Sequence, residues 1–296
     1  MARAEATWRD AFMRRSPTEE TVDLPARMKG LLDEATPVSG GEVSRVQSLF
    51  FHGLKPLGDL LNGLYGTRVS LNGVFCHGHP IVDFDHPDAP ESPKGCELGD
   101  LLVVVNHVFD GGLQTGRSLL LQAKLPRGDV PARQELLYRD WPAFSYRRDP
   151  SESRSVRGGS HAGAQFAYLH DGGPVTLTIE PTERPQPGWE GELALTIVEM
   201  VQSHLRGGRE LYPFSEIRRD GSGWSEVMWD LLRTMFSSET YAGDDRVLNR
   251  GLVRFFLDYS AFPELLRVGP DPQSARAMES GGRGPARPRT ARCAAG

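Results

Sequence analysis

Lysine is scarce in this chain of 296 residues: only Lys29, Lys55, Lys94 and Lys124 stand among 34 basic side chains, and the rest are arginine. A GC-rich coding sequence produces such a skew without any functional cause. It still makes each lysine a position where a compact, titratable ammonium deserves testing. Cysteine is scarcer still. Cys76, Cys96 and Cys293 form neither a disulfide framework nor a CxxC metal knuckle, and a reducing compartment fits them best. No apolar run approaches the ~20 residues that span a bilayer, and the first twenty residues lack the apolar stretch of a signal peptide. A net charge of -5 excludes a histone-like polyanion binder and confines any nucleic-acid contact to a local basic patch. The hydrophobic share of 39% is enough for a real core and excludes wholesale disorder. The expectation is a soluble, cytoplasmic protein with no membrane partner.

Periodicity divides the chain into an N-terminal extension (1–40), one α/β domain (41–268) and a Gly/Pro/Arg/Ala-rich tail (269–296) expected to be disordered and basic. Apolar residues from Val43 to Leu64 follow helical spacing, with Pro56 expected to kink or split the helix. Strands are expected at 68–75, 80–84, 101–105, 118–125, 164–169 and 175–179. Helices are expected at 129–141, 191–206, 224–236 and 246–258. The Arg/Ser-rich segment 147–159 reads as a mobile loop.

Two segments, CELGDLLVVV and SLLLQAKL, carry the sharpest chemistry. Side chains alternate along a strand, so Gln122 and Lys124 share one face while Leu121, Ala123 and Leu125 share the other. Two long polar side chains inside an apolar strand are costly to bury unpaired. If 101–105 and 118–124 form an antiparallel hairpin, Asp100 falls opposite residue 123, and a one-residue adjustment puts it across from Gln122 or Lys124. An acid, an amide and an ammonium then converge. Gly99 beside Asp100 allows the backbone to turn and approach closely.

An Asp at the start of one strand, followed by a strand that closes on Gln122-Ala123-Lys124, resembles the PD-(D/E)XK nuclease superfamily, in particular its Mrr-like restriction branch. Gln134 and Tyr138, QxxxY on the next expected helix, are similar to the motif of RecB-type nuclease domains. The resemblance covers residues 97–140. It implies an α/β fold with a mixed central sheet flanked by helices, the restriction-endonuclease-like core. It also implies Mg²⁺-dependent (or Mn²⁺-dependent) hydrolysis of DNA, with a role in restriction or phage defence, and cleavage as a homodimer is common among nucleases. On this reading Asp100 is the metal carboxylate, and Gln122 and the backbone carbonyl of Ala123 are neutral oxygen ligands. Lys124 positions the attacking water and stabilises charge on the phosphate. Gln122 removes one negative charge from the usual set, so another acid must compensate. Glu97 is the first candidate and Glu42 the second. Gln134 and Tyr138 would orient the scissile strand or Lys124. Two alternatives stay open: a catalytically inactive relative serving as a binding or scaffold protein, and a fortuitous motif in which 101–105 and 118–125 are not neighbours.

Other patterns point elsewhere and are weaker. Gly111 to Ser118 fits GxxxxG-R-S, but Arg117 stands where a P-loop needs Lys, and a strand follows instead of a helix. His77 and His79, with Cys76 and His86 near, invite a zinc site, yet no further pair completes four ligands. The rings Tyr138, Trp141, Phe144 and Tyr146, interleaved with Arg133, Arg139, Arg147 and Arg148, could hold a nucleic-acid strand. A helix end packed on the core with a solvated Arg face explains them better. Ser160-His161 and Ser203-His204 form no nucleophile elbow.

Overall fold

The computed structural model describes residues 24–35, 40–65, 69–78, 80–89, 95–108, 114–126, 128–157, 163–171, 173–178, 191–202, 207–237 and 254–256. The tail 269–296, most of the helix expected at 246–258, and His79 lie outside them.

Helix α1 (Leu24–Glu34) buries Leu24, Met28 and Leu32, one stripe at four-residue spacing. The long apolar-periodic segment that follows is helical throughout: α2 (Glu42–Ser48), a π-helical stretch (Leu49–Leu54) and α3 (Lys55–Tyr65). Pro56 causes no break. A proline in a helix lacks an N–H and presses its ring on the carbonyl four residues back. Just before it the turn widens, and the Lys55 N–H reaches the Phe50 carbonyl, five residues back. The expected kink is thus absorbed as a bulge in the ladder.

Among the described residues the principal sheet has seven strands and is mixed. Its strands are β1 (Val69–Phe75), β4 (Leu101–Val108), β5 (Gln114–Lys124), β8 (Ala164–Leu169), β9 (Val175–Thr178), β10 (Arg209–Leu211) and β11 (Arg254–Phe256). Strand β4 pairs antiparallel with β1 and with β5, and β5 runs parallel to β8. A smaller sheet joins β3 (Cys96–Glu97), β2 (Ile81–Phe84), β6 (Phe144–Tyr146) and β7 (Asp149–Arg154). The expected mixed sheet flanked by helices is therefore present.

Two expectations are corrected. Residues 149–154 are a strand, because β7 pairs with β6 along an exposed edge and needs no apolar alternation to do so. Residues 254–256 are also a strand, laid antiparallel on the outer edge of β1, whose backbone groups would otherwise face outward.

Both faces of the principal sheet are buried. On one, Leu101, Val103, Leu119, Leu121 and Ala123 pack beneath α1, the π-helical stretch, α3 and α5 (Leu193–Gln202). On the other, Leu102, Val104 and Leu120 meet α4 (Ala132–Asp140), α6 (Trp224–Ser237), the small sheet and the rings of Tyr138, Phe166 and Trp224. Truncating a ring such as Phe166, fully buried between these layers, would cost ~3–5 kcal/mol. A strand buried on both faces reads as a continuous apolar run, as LLVVV does. Against that background the polar ends of β4 and β5 stand out.

Candidate active site

The ladder between β4 and β5 pairs Leu101 with Leu121 and Val105 with Arg117. One step beyond its end, the Asp100 N–H donates to the Leu121 carbonyl at 2.8 Å. The regular pairing ends at Leu101 and Leu121, and past it the Asp100 side chain meets that of Gln122. The Cys76 N–H donates to the Asp100 carbonyl, also at 2.8 Å, so Asp100 is stitched to β1 as well. Gly99 is needed for this approach. A Cβ there would stand 2.7 Å from Leu120 Cδ1 and 3.0 Å from the Tyr138 hydroxyl.

The Asp100 carboxylate is fully buried, and both of its oxygens have partners. Its Oδ2 accepts from the Gln122 amide and, at 2.8 Å, from the Ala123 N–H. Its Oδ1 lies 2.7 Å from His77 Nδ1. A carboxylate has nothing to donate, so the Gln122 atom facing it must be the NH₂ group, and Oε1 is left over. That oxygen is buried and has no hydrogen-bond partner among the described residues. The N–H and C=O of one strand residue point to the same edge. The Ala123 carbonyl therefore lies on the Asp100 side of β5, as the resemblance implies.

Both candidate acids are present at this end of the sheet. Glu97 Oε2 is 3.8 Å from His77 Nδ1, and Lys124 Nζ is 3.5 Å from Glu42 Oε1 on the first turn of α2. Burial, and then the charge of Asp100, hold the Glu97 carboxyl above its usual range. Burial also raises Glu42, against the pull of Lys124, with the Asp100 charge adding to the rise. The hydrogen bond to Asp100 raises His77 despite its partial burial. One fully buried and two partly buried acids thus gather around one lysine and one histidine, an arrangement that favours a cation.

The QxxxY pair divides. Tyr138 is fully buried and donates to the Leu98 carbonyl at 2.9 Å, so it braces the backbone between Glu97 and Asp100 instead of touching a substrate strand or Lys124. Gln134 is buried one turn earlier, and its Oε1 has no partner among the described residues.

His77 is the residue that sequence reasoning set in the wrong company. Of the residues weighed with it for zinc, His86 pairs with Asp140 at 3.3 Å, burial pushes the Cys76 thiol far up, away from the thiolate a metal needs, and His79 lies outside the described residues. The HxH spacing did flag His77, but its true neighbours come from the β1–β4 pairing. The P-loop look-alike is settled too, since Arg117 lies on β5 and donates to the carbonyls of Gly207 and Gly208. The ring cluster is core: Trp141 packs edge-on to Phe144 and Trp224, while Arg147 is paired with Asp83 at 2.7 Å and Arg139 with Asp140.

Oxygen donors from Asp100, Glu97, Gln122 and the Ala123 carbonyl suit a hard divalent cation, and the orphaned Gln122 Oε1 is the observation that fits one best. No family model, curated protein or solved structure matches this chain. Among the described residues no helix is long and apolar enough to cross a membrane.

Proposed function

We propose that this protein is a divalent-cation-dependent phosphodiesterase acting on DNA, an endonuclease with a PD-(D/E)XK-like core in which Gln122 replaces the usual second acid. The observation that carries this reading is the side-chain contact between Asp100 and Gln122 at the end of the β4–β5 ladder, with the oxygen of that same amide unpartnered. Asp100, Glu97, Gln122 and the Ala123 carbonyl would hold the ion, Mg²⁺ or Mn²⁺. When bound, such an ion supplies charge for the phosphate oxygens and a more acidic water.

The chain's own residues supply the rest. Lys124 lies on the same strand face as Gln122, two residues on, where its ammonium can hold a non-bridging phosphate oxygen and the attacking water. Glu42 keeps that ammonium in place at 3.5 Å and is positioned to accept a proton from the water. Gln122 spans two roles, donating to Asp100 through its NH₂ and offering its oxygen to the ion.

The competing reading is a catalytically silent binding or scaffold protein. It is favoured by the hydrogen bonds of Asp100, both of whose oxygens already have partners. Incubation of supercoiled plasmid and linear duplex with Mg²⁺ or Mn²⁺ separates the two. Cleavage that is abolished by EDTA and by Lys124→Ala supports the nuclease. Intact DNA under every metal condition supports the scaffold.

A further inference from the structure

The second imidazole-bearing position that the nuclease reading leaves unused is His77, and it stands inside the centre. Phe75 pairs with Leu101, and the Cys76-to-Asp100 hydrogen bond extends that ladder by one step, so the same backbone that fixes Asp100 fixes His77. Its Nδ1 faces two carboxylates, 2.7 Å from Asp100 Oδ1 and 3.8 Å from Glu97 Oε2. One ligand atom from each of His77, Glu97 and Asp100 lies within 4.8 Å of the others. Ligand atoms on a common octahedral ion at ~2.1 Å lie about 3.0 Å apart when adjacent and about 4.2 Å apart when opposite. The two separations at His77 Nδ1, 2.7 and 3.8 Å, lie on either side of the adjacent-ligand distance. Beside this group the Gln122 Oε1, buried and unpartnered, is carried on the amide that grips Asp100 and is free to serve as a fourth donor.

We propose that His77 Nδ1 is a direct ligand of the cation bound by Asp100, Glu97 and Gln122, and that this one nitrogen makes the centre select Mn²⁺ over Mg²⁺. The inference rests on reading the centre as a cation site. Mg²⁺ favours an all-oxygen shell and gives up its waters reluctantly. Imidazole draws a site toward first-row transition ions, while the carboxylates and the amide oxygen keep it hospitable to Mn²⁺. Coordination replaces the hydrogen bond from His77 to Asp100 with two bonds to one ion; the Nδ1 proton of an imidazolium leaves to solvent, that of a neutral ring passes to Nε2, and the ligand in either case is the neutral imidazole. A histidine that merely supported Asp100 would have no need to face Glu97 as well.

The test uses the full chain without DNA, so that it is independent of cleavage. Calorimetric titration with Mn²⁺ and with Mg²⁺ is combined with pulsed electron paramagnetic resonance of the bound Mn²⁺. The expected result is Mn²⁺ binding tighter than Mg²⁺ by about tenfold or more, with ¹⁴N modulation from a directly bound imidazole. His77→Ala should remove the ¹⁴N signal and weaken Mn²⁺ by about tenfold to a hundredfold. His77→Gln, which keeps a donor of similar reach, should bind both ions with the preference gone and guards against a folding defect. Bound Mn²⁺ without nitrogen coupling, or a preference that survives in His77→Gln, overturns the proposal while leaving the nuclease reading intact. Neither ion binding the wild-type chain overturns both. Mn²⁺ bound through nitrogen by a protein that cuts no DNA upholds the ligand and removes the nuclease.

Discussion

Asp100 and Gln122 face each other one step past the end of the β4–β5 ladder, and the Gln122 amide donates to Asp100 Oδ2 inside a fully buried site. The candidate site is arranged around that contact: Ala123 adds a second donor to the same oxygen, His77 takes the other oxygen, and Glu97, Glu42 and Lys124 border the group.

Placing an acid at position 122 should trade fold stability for cation affinity. In Gln122→Glu, Asp100 Oδ2 loses its amide donor and gains a like charge. The metal-free protein should lose about 2–3 kcal/mol of stability from a broken charged hydrogen bond and an added buried carboxylate. Thermal unfolding should show a lower midpoint without metal and a larger upward shift with Mn²⁺ or Mg²⁺ than the wild type gives. Equal shifts in the two proteins would mean that residue 122 does not face the ion.

Glu97 gives the metal-free protein a pH dependence of definite sign. Burial and the Asp100 charge raise its carboxyl in the folded state. Ionising it therefore works against the fold. The cost is absent below the ordinary carboxyl range of about 4.3, grows as pH rises through the unfolded and then the folded value, and is complete above the latter. Glu97→Gln should consequently raise the metal-free midpoint at neutral pH, change it little near pH ~4, and weaken cation binding. A variant less stable than wild type at neutral pH contradicts this.

Asp220 should show the opposite sign. Burial acts to raise its carboxyl, but hydrogen bonds from the Ser222 side chain and the Ser225 N–H outweigh it, and the carboxyl is lowered. The Ser225 N–H lies 2.5 Å from Oδ2, and Ser225 is in the first turn of α6. This contribution is present above about 3.9 and is lost as pH falls through the lower folded value. Asp220→Asn should therefore destabilise at neutral pH, and the gap to wild type should close on acidification. Denaturant titrations across that range measure it.

Tyr138→Phe removes the donor to the Leu98 carbonyl and leaves that carbonyl buried without it. We expect a loss of about 1–2 kcal/mol. We also expect weaker cation binding, because the braced segment carries both Glu97 and Asp100. Urea unfolding and metal titration of the variant check the two effects. A stability loss with unchanged metal affinity would limit Tyr138 to packing.

Local pattern made the hairpin legible, because LLVVV and SLLLQAKL are apolar runs bounded by turn residues. The register came out one residue off, since Val105 pairs with Arg117 where Ser118 was expected. Strands that extend further into the connection shift the pairing by that step. Gln122 and Lys124 on one face follow from alternation alone. His77 did not, because its place beside Asp100 depends on a pairing between β1 and β4 that no local spacing encodes. Strand β7 was missed for a related reason: DPSESR is almost wholly exposed, and only its partner β6 makes it a strand. Lys29 pairs with Asp33 on its own helix and with Glu192, Lys55 pairs with Asp59 on its own helix, and Lys124 alone among the described lysines is buried in a strand.

The most direct measurement is cleavage of an end-labelled DNA duplex by wild type, Asp100→Ala and Lys124→Ala, each with Mn²⁺, with Mg²⁺ and with EDTA. Cleavage by the wild type with metal, loss of all cleavage in EDTA, and a fall of roughly a hundredfold or more in both variants is the predicted result. Cleavage that needs metal yet persists undiminished in both variants, or no cleavage by wild type with either ion, would contradict it.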